Sequence, residues 1–181
     1  MIRSIAALAV LCAAPFAHAD VESGPKAGEK AVELKVFAVS GSIENKEVDY
    51  AKERGELPTL YLFVNAEKFS RPMNRFMKTL DGKLASIDDK AGAVAVWLTG
   101  DADKSKEFLP KVQTSVQYEH TALTVFPGEV SGPKGWAINP DAHLTVVVVQ
   151  AGKVVKSFAY ETVNETDVKD VEETLKKAVK K

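Results

Sequence analysis

Residues 58–84 constrain the fold of this chain more than any other stretch. After Pro58 comes Thr59-Leu60-Tyr61-Leu62-Phe63-Val64, a run rich in aromatic and branched side chains with no polar alternation. Such a run suits a strand buried on both faces. Residues 65–69 form a polar loop, and Ser70-Arg71-Pro72-Met73 follows. Met73, Phe76, Met77, Leu80 and Leu84 then recur at i, i+3, i+4, i+7 and i+11, the stripe of an amphipathic helix. Ser70 is the expected N-cap. Pro72 fits the first turn, where a missing N–H costs little. The segment therefore reads as strand, loop and helix, with a polar tetrapeptide at the helix mouth.

The flanking chain supplies compatible elements. Residues 32–39 alternate around Leu34, Val36 and Phe37, and residues 48–50 return after a turn, which predicts a hairpin. Residues 51–57 read as a charged connection. Residues 93–99 form a second buried apolar strand, parallel to the first if the intervening helix is a crossover. Asp101 or Asp103 can cap a following helix that carries Phe108, Leu109, Val112 and Val116. Pro110 there demands a late start, a kink or a break. Residues 120–126 predict a short strand. Residues 127–140 form a long Gly/Pro loop holding Trp136, and residues 144–149 and 154–160 form a closing hairpin. A last helix is capped by Asn164, with Asp167 reaching back, and buries Val168, Val171, Leu175 and Val179. This order predicts one α/β domain: a central mixed sheet with helices on both faces and an N-terminal β-hairpin extension.

An apolar strand, a loop, a four-residue motif and an amphipathic helix, with that closing hairpin, resemble the thioredoxin-like superfamily. The nearest branch is the peroxiredoxin-like and thiol-disulfide-reductase-like one. The resemblance covers residues 26–181. It implies a thioredoxin-like fold and a C-x-P-C-type motif at the helix mouth. Ser70 stands where the attacking cysteine would be, and Met73 where the second would be. The scaffold is matched and its sulfur chemistry is not. The resemblance also implies a proline facing that motif, just before the closing hairpin. Counting back from Gly152, that slot falls near His143, with Pro140 three residues earlier.

Residues 1–19 read as a secretory signal: Arg3 is the charged start, residues 5–16 the apolar run, and Ala17-His18-Ala19 the cleavage site before Asp20. The apolar run is too short to span a bilayer. Residues 20–30 read as an extended leader and 31–181 as the thioredoxin-like domain. The expected location is periplasmic or secreted, without a stable membrane anchor. Cys12, the only cysteine, lies in the apolar run of the signal. Its removal leaves no disulfide, no thiolate nucleophile and no cysteine metal site. The remaining chain carries 23 Lys+Arg against 25 Asp+Glu, so no basic face for nucleic acid is expected.

The candidate binding groove comprises Ser70, Arg71, Pro72, Met73, Arg75, Trp136 and His143. Arg71 and Arg75 lie four residues apart near a helix start whose free N–H groups favour negative charge. Their alternative role is an exposed basic turn paired with Glu67. Trp136 either lids the groove or anchors its loop. Ser70 would be a nucleophile only with a base in reach, and His120 and His143 are the sole histidines after the signal. No metal or cofactor is expected. Two function classes follow: an exported binding or accessory protein without thiol redox chemistry, whose partner is an unknown protein or a small anionic ligand, or an oxidoreductase-like enzyme with a cysteine-free or lost active site.

Overall fold

The computed structural model describes residues 21–180. Cys12 and the expected cleavage site at Ala19 and Asp20 lie outside the described residues. Seven strands form one mixed sheet: β1 (Lys35–Ser40), β2 (Lys46–Asp49), β3 (Thr59–Asn65), β4 (Gly92–Thr99), β5 (Thr121–Pro127), β6 (Leu144–Gln150) and β7 (Lys153–Tyr160). Their spatial order is β2-β1-β5-β4-β3-β6-β7. Strand β3 lies between parallel β4 and antiparallel β6, and all seven of its residues are buried. That position explains its unbroken apolar run, because both faces and both edges are covered.

Four α-helices accompany the sheet: α1 (Tyr50–Arg54), α2 (Arg71–Ile87), α3 (Ala102–Val116) and α4 (Val168–Val179). Even-numbered β3 residues Leu60, Leu62 and Val64 pack with Met73, Phe76 and Leu80 of α2, Leu109 of α3 and Val171 of α4. Odd-numbered Tyr61 and Phe63 pack with Tyr50 of α1, Trp136 and Ile138. The three long helices therefore share one face. Parallel strands β3, β4 and β5 step in one direction across the sheet, so two successive right-handed crossovers place α2 and α3 on the same side. Among the described residues the second face carries the five-residue α1, the segment before β1, Ile43 and the loop of residues 128–143. The expected charged connection at 51–57 is in part this helix, capped by Asp49, whose carboxylate accepts from Ala51 N and Lys52 N.

The stretch read as an extended leader is held against the sheet. Val154 exchanges backbone hydrogen bonds with it, accepting from Gly28 N and donating to Glu29 O, each at 2.8 Å. Ser157 Oγ donates to Pro25 O at 2.7 Å. Gly24 has φ +95, and a Cβ there would stand 2.7 Å from Ser157 Cβ, so both conformation and space require glycine. Helix α3 runs through Pro110 without a break, and Phe108 departs from the predicted stripe: it is 41% exposed while Leu109 is fully buried. The expected cap before α4 forms, with the Asp167 carboxylate accepting from Asn164 N at 2.8 Å after a short 3-10 turn at Glu165–Asp167.

Candidate functional site

Strand β3 delivers the chain to a 3-10 turn at Ala66–Lys68, capped by Asn65, whose side-chain oxygen accepts from Glu67 N at 3.2 Å. Ser70 then caps α2: its backbone is extended, and its Oγ accepts from Met73 N at 3.4 Å. Residue 70 is thus at the mouth of the central helix, beyond the C-terminal tip of β3. Ser70, Arg71, Pro72 and Arg75 are exposed. Ser70→Ala is expected to cost about 0.5–1 kcal/mol, the lower part of the range for losing a capping oxygen because this bond is long. Urea denaturation midpoints of the two proteins check it.

His143 lies at the same end of the sheet. Its carbonyl accepts from Asn65 N at 3.0 Å and its N–H donates to Tyr160 O at 2.8 Å, so β3 and β7 clamp its backbone from either side. It is half-buried. Residue 143 therefore occupies the slot before the closing hairpin, beside the β3 tip. Among the described residues no hydrogen bond joins its side chain to Ser70. A serine nucleophile needs a base within hydrogen-bond reach, and the hydroxyl here is engaged as an acceptor by its own helix. Among the described residues there is also no cluster of three or more His, Cys, Asp or Glu suited to a metal ion.

Two members of the predicted groove lie elsewhere. Trp136 is fully buried on the opposite face of the sheet, with ring centroids 5.0 Å from both Tyr61 and Phe63. Its Nε1 donates to Glu33 O at 3.2 Å. It anchors the loop of residues 128–143 and cannot lid the Ser70 end. Met73 is 1% exposed and points into the core under α2, as an apolar residue on the helix stripe must. Arg75 does not pair with Glu67: its Nε faces Glu165 at 3.8 Å, an exposed ion pair of little energetic weight.

The structure adds residues that the sequence pattern did not single out. Phe69, just before Ser70, stacks at 5.0 Å from Trp97 and 6.2 Å from Phe108. With Phe108 exposed, this makes an apolar shoulder beside the polar helix mouth. Below it, Asp81 is 1% exposed on the buried face of α2. It accepts from Glu119 N (3.0 Å), His120 N (2.8 Å), Thr121 Oγ1 (2.8 Å) and Lys78 Nζ (3.2 Å). Burial alone would raise its carboxyl, but the donors from Glu119, Thr121, His120 and Lys78 outweigh it and hold it below the ordinary range. Three of its four partners lie about forty residues away, yet a trace was visible: residue 81 follows Met77 by four and precedes Leu84 by three, so a charge sits within the apolar stripe.

A mixed sheet, an amphipathic helix whose mouth lies beyond the central strand, and a closing antiparallel hairpin with a terminal helix now define the architecture. Solved structures share it. BsSco, a member of the Sco family of cytochrome c oxidase assembly proteins, superposes with a TM-score of 0.62 at 16% identity, over 84% of this chain and 95% of its own. The chain has a thioredoxin-like fold. Peroxidoxin BcpB from Mycobacterium tuberculosis gives 0.60 at 14% identity, over 84% and 97% of the two chains. A DsbF homologue from Corynebacterium diphtheriae gives 0.59 at 11%, over 88% and 96%. At such identities the likeness concerns the thioredoxin-like fold alone. No protein-family model and no curated protein sequence matches the chain. The chain's single cysteine, Cys12, is remote in sequence from the helix mouth.

Proposed function

We propose that this is an exported thioredoxin-fold protein that binds a partner and performs no thiol redox chemistry. The observation that carries the reading is Ser70, an exposed N-cap hydroxyl at the mouth of α2, on a chain whose only cysteine lies in the signal-like segment. Disulfide exchange requires a thiolate attacking a sulfur, and a hydroxyl engaged as a helix cap supplies neither. The signal-like order of residues 1–19 supports export, and among the described residues no helix is long and apolar enough to cross a membrane.

The binding surface on this reading is the end of the sheet bearing Ser70, Arg71, Pro72 and Arg75, with Phe69 and Phe108 beside them. It pairs cationic side chains at the positive end of the helix dipole with exposed aromatic area, a combination suited to an acidic, partly apolar protein segment. Arg71 makes no ion pair among the described residues. Insulin-reduction and peroxide-consumption assays on the purified mature protein should match the buffer blank. Turnover that disappears in Ser70→Ala would overturn the reading. In pull-downs from the native envelope, a partner retained by the wild type should be lost with the Arg71→Glu, Phe108→Ala double variant.

A further inference from the structure

The parallel strands β3, β4 and β5 begin at the end of the sheet opposite Ser70, and a cleft of about 360 Å³ opens there. Its size is that of a small-ligand site. Arg54, the last residue of α1, lines it and is partly buried. Its Nε donates to Thr59 Oγ1 at 3.0 Å, and its Nη2 donates to Pro58 O at 3.0 Å and Lys90 O at 2.6 Å. These bonds fix the guanidinium plane and leave Nη1 without a protein acceptor. Among the described residues no carboxylate forms an ion pair with it. At hydrogen-bond distance this partly buried cation is met by neutral oxygens alone, and one of its amino groups keeps donors for a ligand.

A further observation points to the same place. Gly92 supplies the floor under Arg54: a Cβ there would lie 3.0 Å from Nη2, 3.1 Å from Cζ and 3.3 Å from Nη1. The guanidinium therefore lies flat against bare backbone, a seat that any larger residue would fill.

We propose that this cleft binds the carboxylate of a small organic acid, with Arg54 Nη1 as its charged donor. Asp89 and Glu119 also border the cleft. Their charges penalise a dianion more than a monoanion, which selects a monocarboxylate over phosphate. The site is remote from the Ser70 end and independent of any partner bound there.

The test is a titration of the purified protein with acetate and benzoate, followed by amide and arginine side-chain nuclear magnetic resonance, with inorganic phosphate as the control. Saturable shifts are expected at Arg54 Nε and at the Lys90 and Gly92 amides. Gly92→Ala is the discriminating variant. Gly92 has no positive φ, and the three atoms nearest its new Cβ all belong to the Arg54 guanidinium. The variant should fold with little loss of stability while its affinity falls about tenfold or more. Arg54→Gln should abolish the shifts and serves as the second variant. The proposal is overturned if no carboxylate gives saturable shifts, if both variants bind as the wild type does, or if phosphate binds as tightly as the carboxylates.

Discussion

Replacing Asp81 by alanine is expected to destabilise the protein by about 3–5 kcal/mol, which approaches or exceeds half of the stability of a weakly stable domain. The carboxylate is the common acceptor for two backbone N–H groups, one hydroxyl and one ammonium. Lys78 keeps an alternative, because its Nζ also donates to Gln117 O at 2.7 Å. The amides of Glu119 and His120 and the buried Thr121 hydroxyl lose their acceptor. An unmet buried donor costs about 1–3 kcal/mol. Asp81→Asn keeps one acceptor oxygen and the shape, and should cost less than the alanine variant. Urea denaturation at neutral pH measures both.

The same residue fixes a pH dependence with a definite sign. Its carboxyl is held below the ordinary range in the folded protein, so the folded state favours the charged form. The associated stability is present at neutral pH, above the unfolded carboxyl value of about 4. It is lost as pH falls from there through the lower folded value. The stability gap between wild type and Asp81→Asn should therefore be constant from neutrality to about pH 5 and narrow below about pH 4. A gap that widens on acidification contradicts the assignment.

Trp136→Ala should be comparably severe, at about 3–5 kcal/mol, because it empties a fully buried indole site. Tyr61 and Phe63 would lose the ring they contact at 5.0 Å, and Glu33 O would lose the indole donor. Among the described residues the second face of the sheet has no long helix to collapse into the void. Trp136→Phe restores an aromatic ring without the N–H and should recover more than half of the loss. Equilibrium denaturation gives the energies. Tryptophan fluorescence then reports on Trp97 alone, since the chain has two tryptophans.

Much of the candidate site was legible because it rests on local rules. A serine before Pro-Met, followed by an apolar residue every three or four positions, marks a helix start wherever that helix packs. His143 could be placed by counting back from a hairpin turn, and its backbone does lie beside the β3 tip. The groove failed at Trp136 and Met73, because exposure and facing were assigned to residues whose burial depends on distant chain. Phe108 misled the helix stripe for a similar reason: apolar identity does not say whether a helix edge is covered. Residues 51–57 looked like a connection because a five-residue helix is too short to show a period.

By itself the sequence determined the strands, the three long helices and their order, the doubly buried central strand, the capped helix mouth at Ser70 and the lack of a thiol there. These follow from alternation, helical spacing and residue chemistry within some twenty positions. The tertiary structure alone decided that α2, α3 and α4 share one face, that Trp136 fills the other, that Asp81 clamps the start of β5, and that Arg54 lies over Gly92 at the far end of the sheet. Each depends on strand order and crossover hand, which bring together residues separated by up to about a hundred positions. No local pattern encodes that proximity, because the free energy that selects it is released only when the layers pack.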